Sequence, residues 1–187
     1  MDHALPSLPN TSPALAAVRR IAWWVRALTL LAGVVLMSLP LAFWLEPATF
    51  AHALSAMPKP GVATLTPTTR LYAVGALLPL MAMALFGLQQ LWKLFGGYAH
   101  GEVFTEIAAM RLRRVGIVLM LVCLVKPLTG AVMSVILSWH NPPGQRTLTL
   151  GLSSDDYVSL LSGAVLLAIA LVMREAARLA QENAEFV

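Results

Sequence analysis

The sequence predicts an all-α fold: a four-transmembrane-helix bundle with both termini in the cytoplasm. Hydrophobic residues make up 58% of the 187 residues and charged residues only 12%, with a mean hydropathy of +0.75. Soluble domains carry about 25% charged residues. A chain this short and this apolar cannot hide its hydrophobic side chains in one core. The second observation is that the apolar residues gather in four stretches of about the 20 residues that a spanning helix needs.

The whole chain, residues 1–187, is predicted to be a single membrane domain. The predicted spans lie at about 22–45, 71–95, 115–138 and 157–173, with a cytoplasmic loop at 96–114 and a cytoplasmic helical tail at 174–187. The first span is expected to be retained, because its apolar run is longer than the 7–15 residues or so of a signal-peptide core. Pro40 and Pro79 lie inside spans and are expected to kink them.

Positively charged residues are distributed unequally between the two sides of the predicted membrane. Nine lie at one set of span ends and three at the other. The nine are Arg19, Arg20, Arg26, Lys93, Arg111, Arg113, Arg114, Arg174 and Arg178, and the three are Lys59, Arg70 and Arg146. Because Lys and Arg collect on the cytoplasmic side of membrane proteins, both termini and the loop 96–114 are placed there. All five tryptophans fall at span ends, where indole rings prefer the headgroup level.

Helix-capping residues mark several of the connections. Thr105 is predicted to cap a helix that continues into the third span, and Gly96 and Gly97 are predicted to end the second helix. Ser153 and Asp156 have the spacing of a capping box at the start of the fourth helix.

Two further local patterns concern the second outer loop and the tail. Residues 147–151 alternate polar and apolar, so a short extracytoplasmic β-hairpin with residues 62–66 is a candidate. In the tail, Arg178 lies three residues after Glu175 and four before Glu182, spacings at which side chains pair along one helix face.

Lys126 interrupts the apolar third span, in the stretch LVCLVKPLTG at 121–130. It lies about 16 Å from the start of that span at Val115, near the middle of a core about 30 Å thick. An ionised lysine costs about 2.5–3.5 kcal/mol there. Pro127 has no N–H and frees the carbonyl of Cys123, which the ammonium could reach. No carboxylate lies inside a predicted span, so a buried ion pair within the chain is not expected. Carboxylates at the outer span ends could reach Lys126 only if water enters; they are Glu46, Asp155 and Asp156.

Lys126 and Pro127 are therefore the candidate intramembrane functional residues. The functional interpretation is a site for an anionic ligand or an ion pathway. The alternative is a lysine that faces the bundle or extends toward the outer surface without a specific role.

Small residues recur along one face of the third span and form a candidate helix-packing face. They are Gly116, Cys123, Gly130 and Ser134. In lipid, helices associate where small residues let two backbones approach closely. This face is expected to contact a neighbouring helix, either within the chain or in a homo-oligomer, and Cys123 is expected to serve in packing.

The sequence argues against several classes of function. It contains one cysteine, so a disulfide within the chain is excluded, and its histidines show no metal-ligand spacing. No nucleophile with a base, phosphate-binding glycine loop or metal motif is present. We therefore expect no enzymatic activity, no cofactor and no metal. Direct nucleic-acid binding is not expected either, because no basic stripe with interleaved aromatic residues occurs.

Three segments resemble a bacterial membrane protein family catalogued as domain of unknown function 2975. They are LFGGYAHGEVFTEIAAMRLRRVG at 94–116, NPPGQRTLTLGLSSDD at 141–156 and the ending REAARLAQENAEFV. The most specific parts are Tyr98, Gly101, Glu102 and Phe104 ahead of the arginine cluster, and Asn183, Phe186 and Val187 in the tail. The resemblance implies the number of spans and a polar cytoplasmic loop but no catalytic role. It also implies a regulatory context, because such proteins are often encoded beside a small helix-turn-helix regulator.

The cytoplasmic loop holds the candidate residues for contact with a partner or with lipid headgroups. They are Tyr98, Glu102, Phe104, Arg111, Arg113 and Arg114. An arginine collar at headgroup level attracts anionic lipid, and membrane lipids are the first partners expected.

Three functions are consistent with these features. The first is a non-catalytic regulatory or sensing membrane partner of a small cytosolic DNA-binding regulator, in the bacterial inner membrane. The second is a subunit of an oligomeric small transporter or permeation pathway that uses Lys126. The third is a purely structural module that associates within the membrane.

Overall fold

The computed structural model describes residues 13–45, 66–103 and 105–185. These residues form four α-helices: α1 Pro13–Leu45, α2 Pro67–Ala99, α3 Glu106–Ser138 and α4 Ser154–Glu185. All four are long and apolar enough to cross a membrane. The prediction of an all-helical protein with four spanning helices is therefore confirmed, and the chain has the make-up of a multi-pass membrane protein.

The predicted β-hairpin has no support in the structure. No strand occurs among the described residues, and residues 147–151 have no strand partner there. The other proposed arm lies almost entirely outside the described residues, of which Thr66 is the first after the gap.

The starts of α2 and α3 follow from local capping chemistry. Thr66 accepts a hydrogen bond from the backbone N–H of Thr69, and Pro67 occupies the first helical position, where its missing N–H is not needed. Thr105 accepts from the backbone N–H of Ala108 at 3.1 Å. The predicted cap at Thr105 is confirmed, and α3 runs without a break from the loop after α2 through the third predicted span.

The connection between α2 and α3 is shorter than predicted. α2 continues through Gly96 and Gly97, where its end is predicted, and stops at Ala99. His100 closes the helix and Gly101 follows with a φ of 88°, a conformation that residues with a Cβ rarely adopt. Glycine at 96 and 97 weakens the helix but does not end it, because neither needs a positive φ there.

The helix backbones pack side by side in chain order. Close backbone approach occurs between α1 and α2, between α2 and α3, and between α3 and α4, and between no other pair of helices in the described ranges. The four helices therefore form an open row in which α1 and α4 are the two edges. Both faces of the row expose large apolar side chains, among them Leu31 on α1 and Val172 on α4, as expected for a protein whose solvent is lipid.

α3 lies between α2 and α4, and α4 is displaced along it toward the loop that joins α2 to α3. We call the helix ends on the side of that loop the inner ends and the opposite ends the outer ends. The outer end of α3 packs Met133 and Leu137 against Ala73 of α2. Its inner end packs Ala108 and Leu112 against side chains of both α2 and α4. α4 begins only beside the middle of α3, so the last three turns of α3 extend beyond α4. Residues 146–153, which precede α4, lie beside those last three turns of α3.

Candidate functional site

A polar cluster at the start of α4 surrounds Lys126. The ammonium Nζ of Lys126 lies 2.9 Å from a carboxylate oxygen of Asp156 and donates a hydrogen bond to the hydroxyl of Ser153 at 3.2 Å. The expectation that Lys126 forms no buried ion pair within the chain is therefore wrong. Its physical reason is the displacement of α4, which carries an acidic first turn down to the level of the lysine. We call Lys126, Ser153 and Asp156 the lysine cluster.

The local sequence folds Ser153 and Asp156 together before the lysine is considered. Ser153 lies just before α4, and its backbone N–H donates to the Asp156 carboxylate at 2.7 Å. This is one half of the predicted capping box. In the other half the serine hydroxyl would accept from the backbone N–H of Asp156. Here the hydroxyl instead donates to the carboxylate at 2.8 Å, while it accepts from Lys126.

The electrostatics of the lysine cluster are complementary at short range. The Asp156 side chain is only 4% exposed, whereas that of Lys126 is 42% exposed. The buried carboxylate receives a backbone N–H, a hydroxyl and an ammonium, and it lies in the first turn of α4, where the helix dipole favours negative charge. Charge-assisted hydrogen bonds of this kind are roughly twice as strong as neutral ones. The cluster therefore fastens α4 to α3.

Residues 146–153 return along the outer part of α3 to reach the lysine cluster. The hydroxyl of Ser138 bonds both the N–H and the C=O of Thr147, and the hydroxyl of Ser134 accepts from the N–H of Thr149. Ser138 and Ser134 are four residues apart on α3, which corresponds to about 6 Å along the helix axis. Their partners Thr147 and Thr149 are only two residues apart in the segment. A rise of about 3 Å per residue is that of an extended chain. We call residues 146–153 the return segment.

The closest contact between α3 and α4 involves Gly116 and Gly163. A Cβ atom on Gly163 would lie 2.7 Å from the carbonyl oxygen of Gly116, and a Cβ on Gly116 would lie 2.9 Å from that of Gly163. The two backbones touch, which only glycine allows. Gly116 of the predicted packing face thus lies in a helix contact, and its partner was not identified from the sequence.

The other residues of the predicted packing face have different surroundings. Cys123 and the neighbouring Pro127 are buried. Gly130 is exposed, and a Cβ there would meet no atom within 4 Å. Ser134 is half-buried and holds the return segment. The face therefore divides into a part that contacts α4 and an outer part that contacts the return segment or remains open.

The predicted cytoplasmic residues lie around the end of α2 and the start of α3. The guanidinium of Arg111 donates to the carbonyl of Lys93 at 2.7 Å and so connects the start of α3 to the last turns of α2. Tyr98 is half-buried and packs edge-on against Phe95, with ring centroids 5.4 Å apart. Glu102 is exposed, and its carboxylate lies beside Gly97 near Arg111.

Two arginines at the inner end of α3 remain available for contacts. Arg113 and Arg114 are exposed, and Arg114 contacts only the sulfur of Met110 among the described residues. Phe104 lies outside the described residues. The loop is therefore anchored by Arg111 and Tyr98, while the other two arginines face its surroundings.

The inner part of α4 carries the predicted charge pairs. Arg178 forms ion pairs with Glu175 and with Glu182, the latter at 3.4 Å. Both predicted pairs are confirmed. All three side chains are more than half exposed, so each pair contributes only tenths of a kcal/mol.

The polar groups of the lysine cluster are paired with one another. Each polar group in it has a partner inside the cluster, and no group of metal-binding side chains occurs in the described ranges. Sequence reasoning identified the spacing of Ser153 and Asp156 and placed Asp156 within reach of Lys126 only if water entered, so it did not predict their ion pair. Gln90, which the sequence indicates as a helix-packing or interface residue, is buried on α2, and its side-chain oxygen accepts no hydrogen bond within the described residues.

Comparisons with known proteins give one match. A family model described as "Protein of unknown function (DUF2975)" matches residues 49–187, which include α2, α3, α4 and the lysine cluster. Searches of curated proteins and of solved structures found no match.

Proposed function

The chain belongs to the DUF2975 family of proteins of unknown function, and from that premise we propose that it is a non-catalytic regulatory or sensing partner of a small cytosolic helix-turn-helix regulator. It acts in the bacterial inner membrane, with both termini in the cytoplasm. The asymmetry of nine cations against three supports this orientation. The cytosolic regulator is the kind of partner that the family resemblance implies.

One observation carries this proposal: α4 connects the lysine cluster to the cytoplasmic tail without a break. The helix runs from Ser154 to Glu185, which is about 48 Å long. Its outer end is fastened by Asp156, and its inner end carries Arg174 and the charge pairs of Arg178. A shift or rotation at one end must therefore reach the other.

The packing of α4 makes such a shift feasible. α4 is an edge of the row and its backbone approaches only α3 in the described residues. Its principal fixed points are the lysine cluster, the contact between Gly116 and Gly163, and the inner apolar cluster around Ala170. An event at the outer surface that weakens the ion pair would free the first of these points. The tail would then present its charged face differently to the cytosol.

The cytoplasmic surface supplies the docking elements for the regulator. Arg113 and Arg114 on α3 are exposed, and so are Glu175 and Arg178 on α4. The neighbouring loop holds its shape through Arg111 and the Thr105 cap. A fixed surface beside a movable helix is the arrangement that a conformational switch needs.

The proposal is tested with the small helix-turn-helix regulator that the family resemblance implies to be encoded beside this chain. The chain, tagged at its N-terminus, is expressed together with that regulator. Two quantities are measured: the fraction of the regulator that sediments with membranes, and the activity of a reporter fused to the promoter that the regulator controls. We expect several-fold more regulator in the membrane fraction than in cells without the chain. A chain ending after Met173 should release it. Equal sedimentation with and without the chain would overturn the proposal.

The role of the lysine cluster is tested with variants in the same cells. Asp156→Asn removes the charge of the buried carboxylate, and we expect the reporter to change at least about fivefold, the effect of a coupling energy at the lower end of the typical range. Tyr157→Phe, at an exposed neighbouring position, should leave the reporter unchanged. An unchanged reporter in Asp156→Asn, at normal protein level, would exclude the cluster as the sensing element.

The alternative function, a permeation pathway that uses Lys126, predicts a different result. Purified protein in vesicles would conduct small anions, and Lys126→Met would change the rate. We expect Lys126→Met vesicles to equal wild-type vesicles in chloride and phosphate flux, because the lysine is already paired with Asp156. A change in flux would favour the pathway over the regulatory function.

A further inference from the structure

The return segment, residues 146–153, has one edge bonded to α3 and one edge free. Thr147 and Thr149 direct their backbone groups toward Ser138 and Ser134 of α3. In an extended chain, alternate residues point their N–H and C=O groups to opposite sides. The backbone groups of Leu148, Leu150 and Leu152 therefore point away from α3. None of the three amides donates to another group in the described part of the chain.

The same three leucines also form an exposed apolar face. Their exposed fractions are 72%, 63% and 76%, and their spacing of two places the side chains on one face of the segment. An unpaired backbone edge beside apolar side chains is a template for pairing with another strand. At a membrane surface the need is greater, because unpaired backbone groups are costly wherever water is scarce.

The charges at the two ends of the segment are opposite. Arg146 is exposed at one end and stacks 5.6 Å from the ring centroid of Trp139, which helps to hold it in place. Asp155, just past the other end, is exposed and has no ion-pair partner among the described residues. An antiparallel partner with the same sequence would therefore meet positive charge with negative charge at both ends.

We propose that the return segment pairs with the return segment of a second copy of this chain, antiparallel and centred on Leu150. Leu150 then lies opposite its own counterpart, and Leu148 lies opposite Leu152 of the second copy. The free N–H and C=O groups of these three leucines all point toward the second copy, so each leucine forms a hydrogen-bonded pair with the residue opposite. Three such pairs exchange about two hydrogen bonds each, or about six in all. Arg146 of each copy lies next to Asp155 of the other.

The charge pattern favours a second copy over a segment of the same chain. Residues 62–66, which could also supply a strand, contain no charged residue and would leave Arg146 and Asp155 without partners. The symmetric arrangement satisfies both, and a two-fold axis through Leu150 is the simplest closed assembly. The proposal does not depend on the regulatory function, since it requires only that the return segments of two copies can meet.

Cysteine crosslinking tests the register directly. The native cysteine is first replaced, by Cys123→Ala, and single cysteines are placed at Leu150 or at Leu148. Paired residues have Cα atoms about 5.5 Å apart, within the range of about 4.4–6.8 Å that a disulfide allows. Two copies of residue 148 would be more than about 13 Å apart along the strands. Leu150→Cys should therefore form a disulfide dimer on oxidation in native membranes, and Leu148→Cys should not.

The paired variant and the charges complete the test. Leu148→Cys combined with Leu152→Cys should restore crosslinking. Adding Arg146→Asp to Leu150→Cys should reduce the dimer severalfold, and adding Asp155→Arg as well should restore it. Because all these positions are exposed, the variants should fold normally.

Three results would overturn the proposal. One is a Leu150→Cys protein that stays monomeric. Another is equal crosslinking at Leu148, Leu150 and the lipid-facing Leu124, which would indicate random collision. The third is a disulfide within one chain between Leu150→Cys and Thr64→Cys, which would assign the edge to residues 62–66.

Discussion

Gly163→Ala is expected to destabilise the protein by about 1–3 kcal/mol, the usual cost of forcing an extra group into a packed contact. The new Cβ would lie 2.7 Å from the carbonyl oxygen of Gly116 and 2.7 Å from a side-chain carbon of Met120. The side chain of Met120 can move, but the carbonyl belongs to the α3 backbone. α3 and α4 must therefore separate. The measurement is the free energy of unfolding of purified protein in mixed micelles, titrated with a denaturing detergent.

Gly130, which lies on α3, provides the matched control for Gly163 on α4. Gly130 is exposed, and its added Cβ would meet no atom within 4 Å. Alanine is a better helix former than glycine by about 1 kcal/mol, so Gly130→Ala should be neutral or stabilising. If Gly163→Ala and Gly130→Ala have the same unfolding free energy, the close backbone contact does not hold α4 to α3.

Lys126→Met should weaken the attachment of α4 by about 1–3 kcal/mol, because it leaves a buried carboxylate without its cation. Methionine keeps the length of the side chain and removes the charge. The Asp156 carboxylate is only 4% exposed and would retain the N–H and the hydroxyl of Ser153. The figure is below that of a fully buried pair since the Lys126 side chain is 42% exposed. Unfolding in mixed micelles again provides the measurement.

A double-mutant cycle separates the ion pair from other effects of the substitution. Lys126→Met and Asp156→Asn are measured alone and together, and we expect the double variant to be more stable than the sum of the two losses predicts. Lys93→Met removes an exposed cation elsewhere and should have little effect. Independent, additive losses in the cycle would show that Lys126 and Asp156 do not stabilise each other.

The helices could be predicted because the apolar residues and the caps act locally. The apolar stretches, the Thr105 cap and the spacing of Ser153 and Asp156 all report on neighbours in sequence, and each has its counterpart in the structure. The sequence predicts the end of α2 at Phe95, because glycine, here Gly96 and Gly97, is common at helix ends. The helix continues to Ala99, and the positive φ occurs at Gly101.

The lysine cluster could not be assembled from the sequence because it depends on how far α4 is displaced along α3. Hydropathy places the ends of each span relative to the bilayer, but it does not report that α4 begins beside the middle of α3. The return segment makes this displacement possible through Ser134 and Ser138, two residues that hydropathy treats as neutral. Gly163 had a detectable signal, since the serine, glycine and alanine at 162–164 are consecutive small residues inside an apolar stretch.

The open row has a consequence for how the protein is made. Each helix from α2 onward packs directly against the helix that precedes it in the chain. If the helices are inserted in chain order during translation, the preceding neighbour of each new helix is already in the bilayer. Such a low contact order favours rapid assembly. A nascent chain that stops before α4 would therefore already contain three packed helices. Its Lys126 would lack the Asp156 carboxylate, which is part of α4.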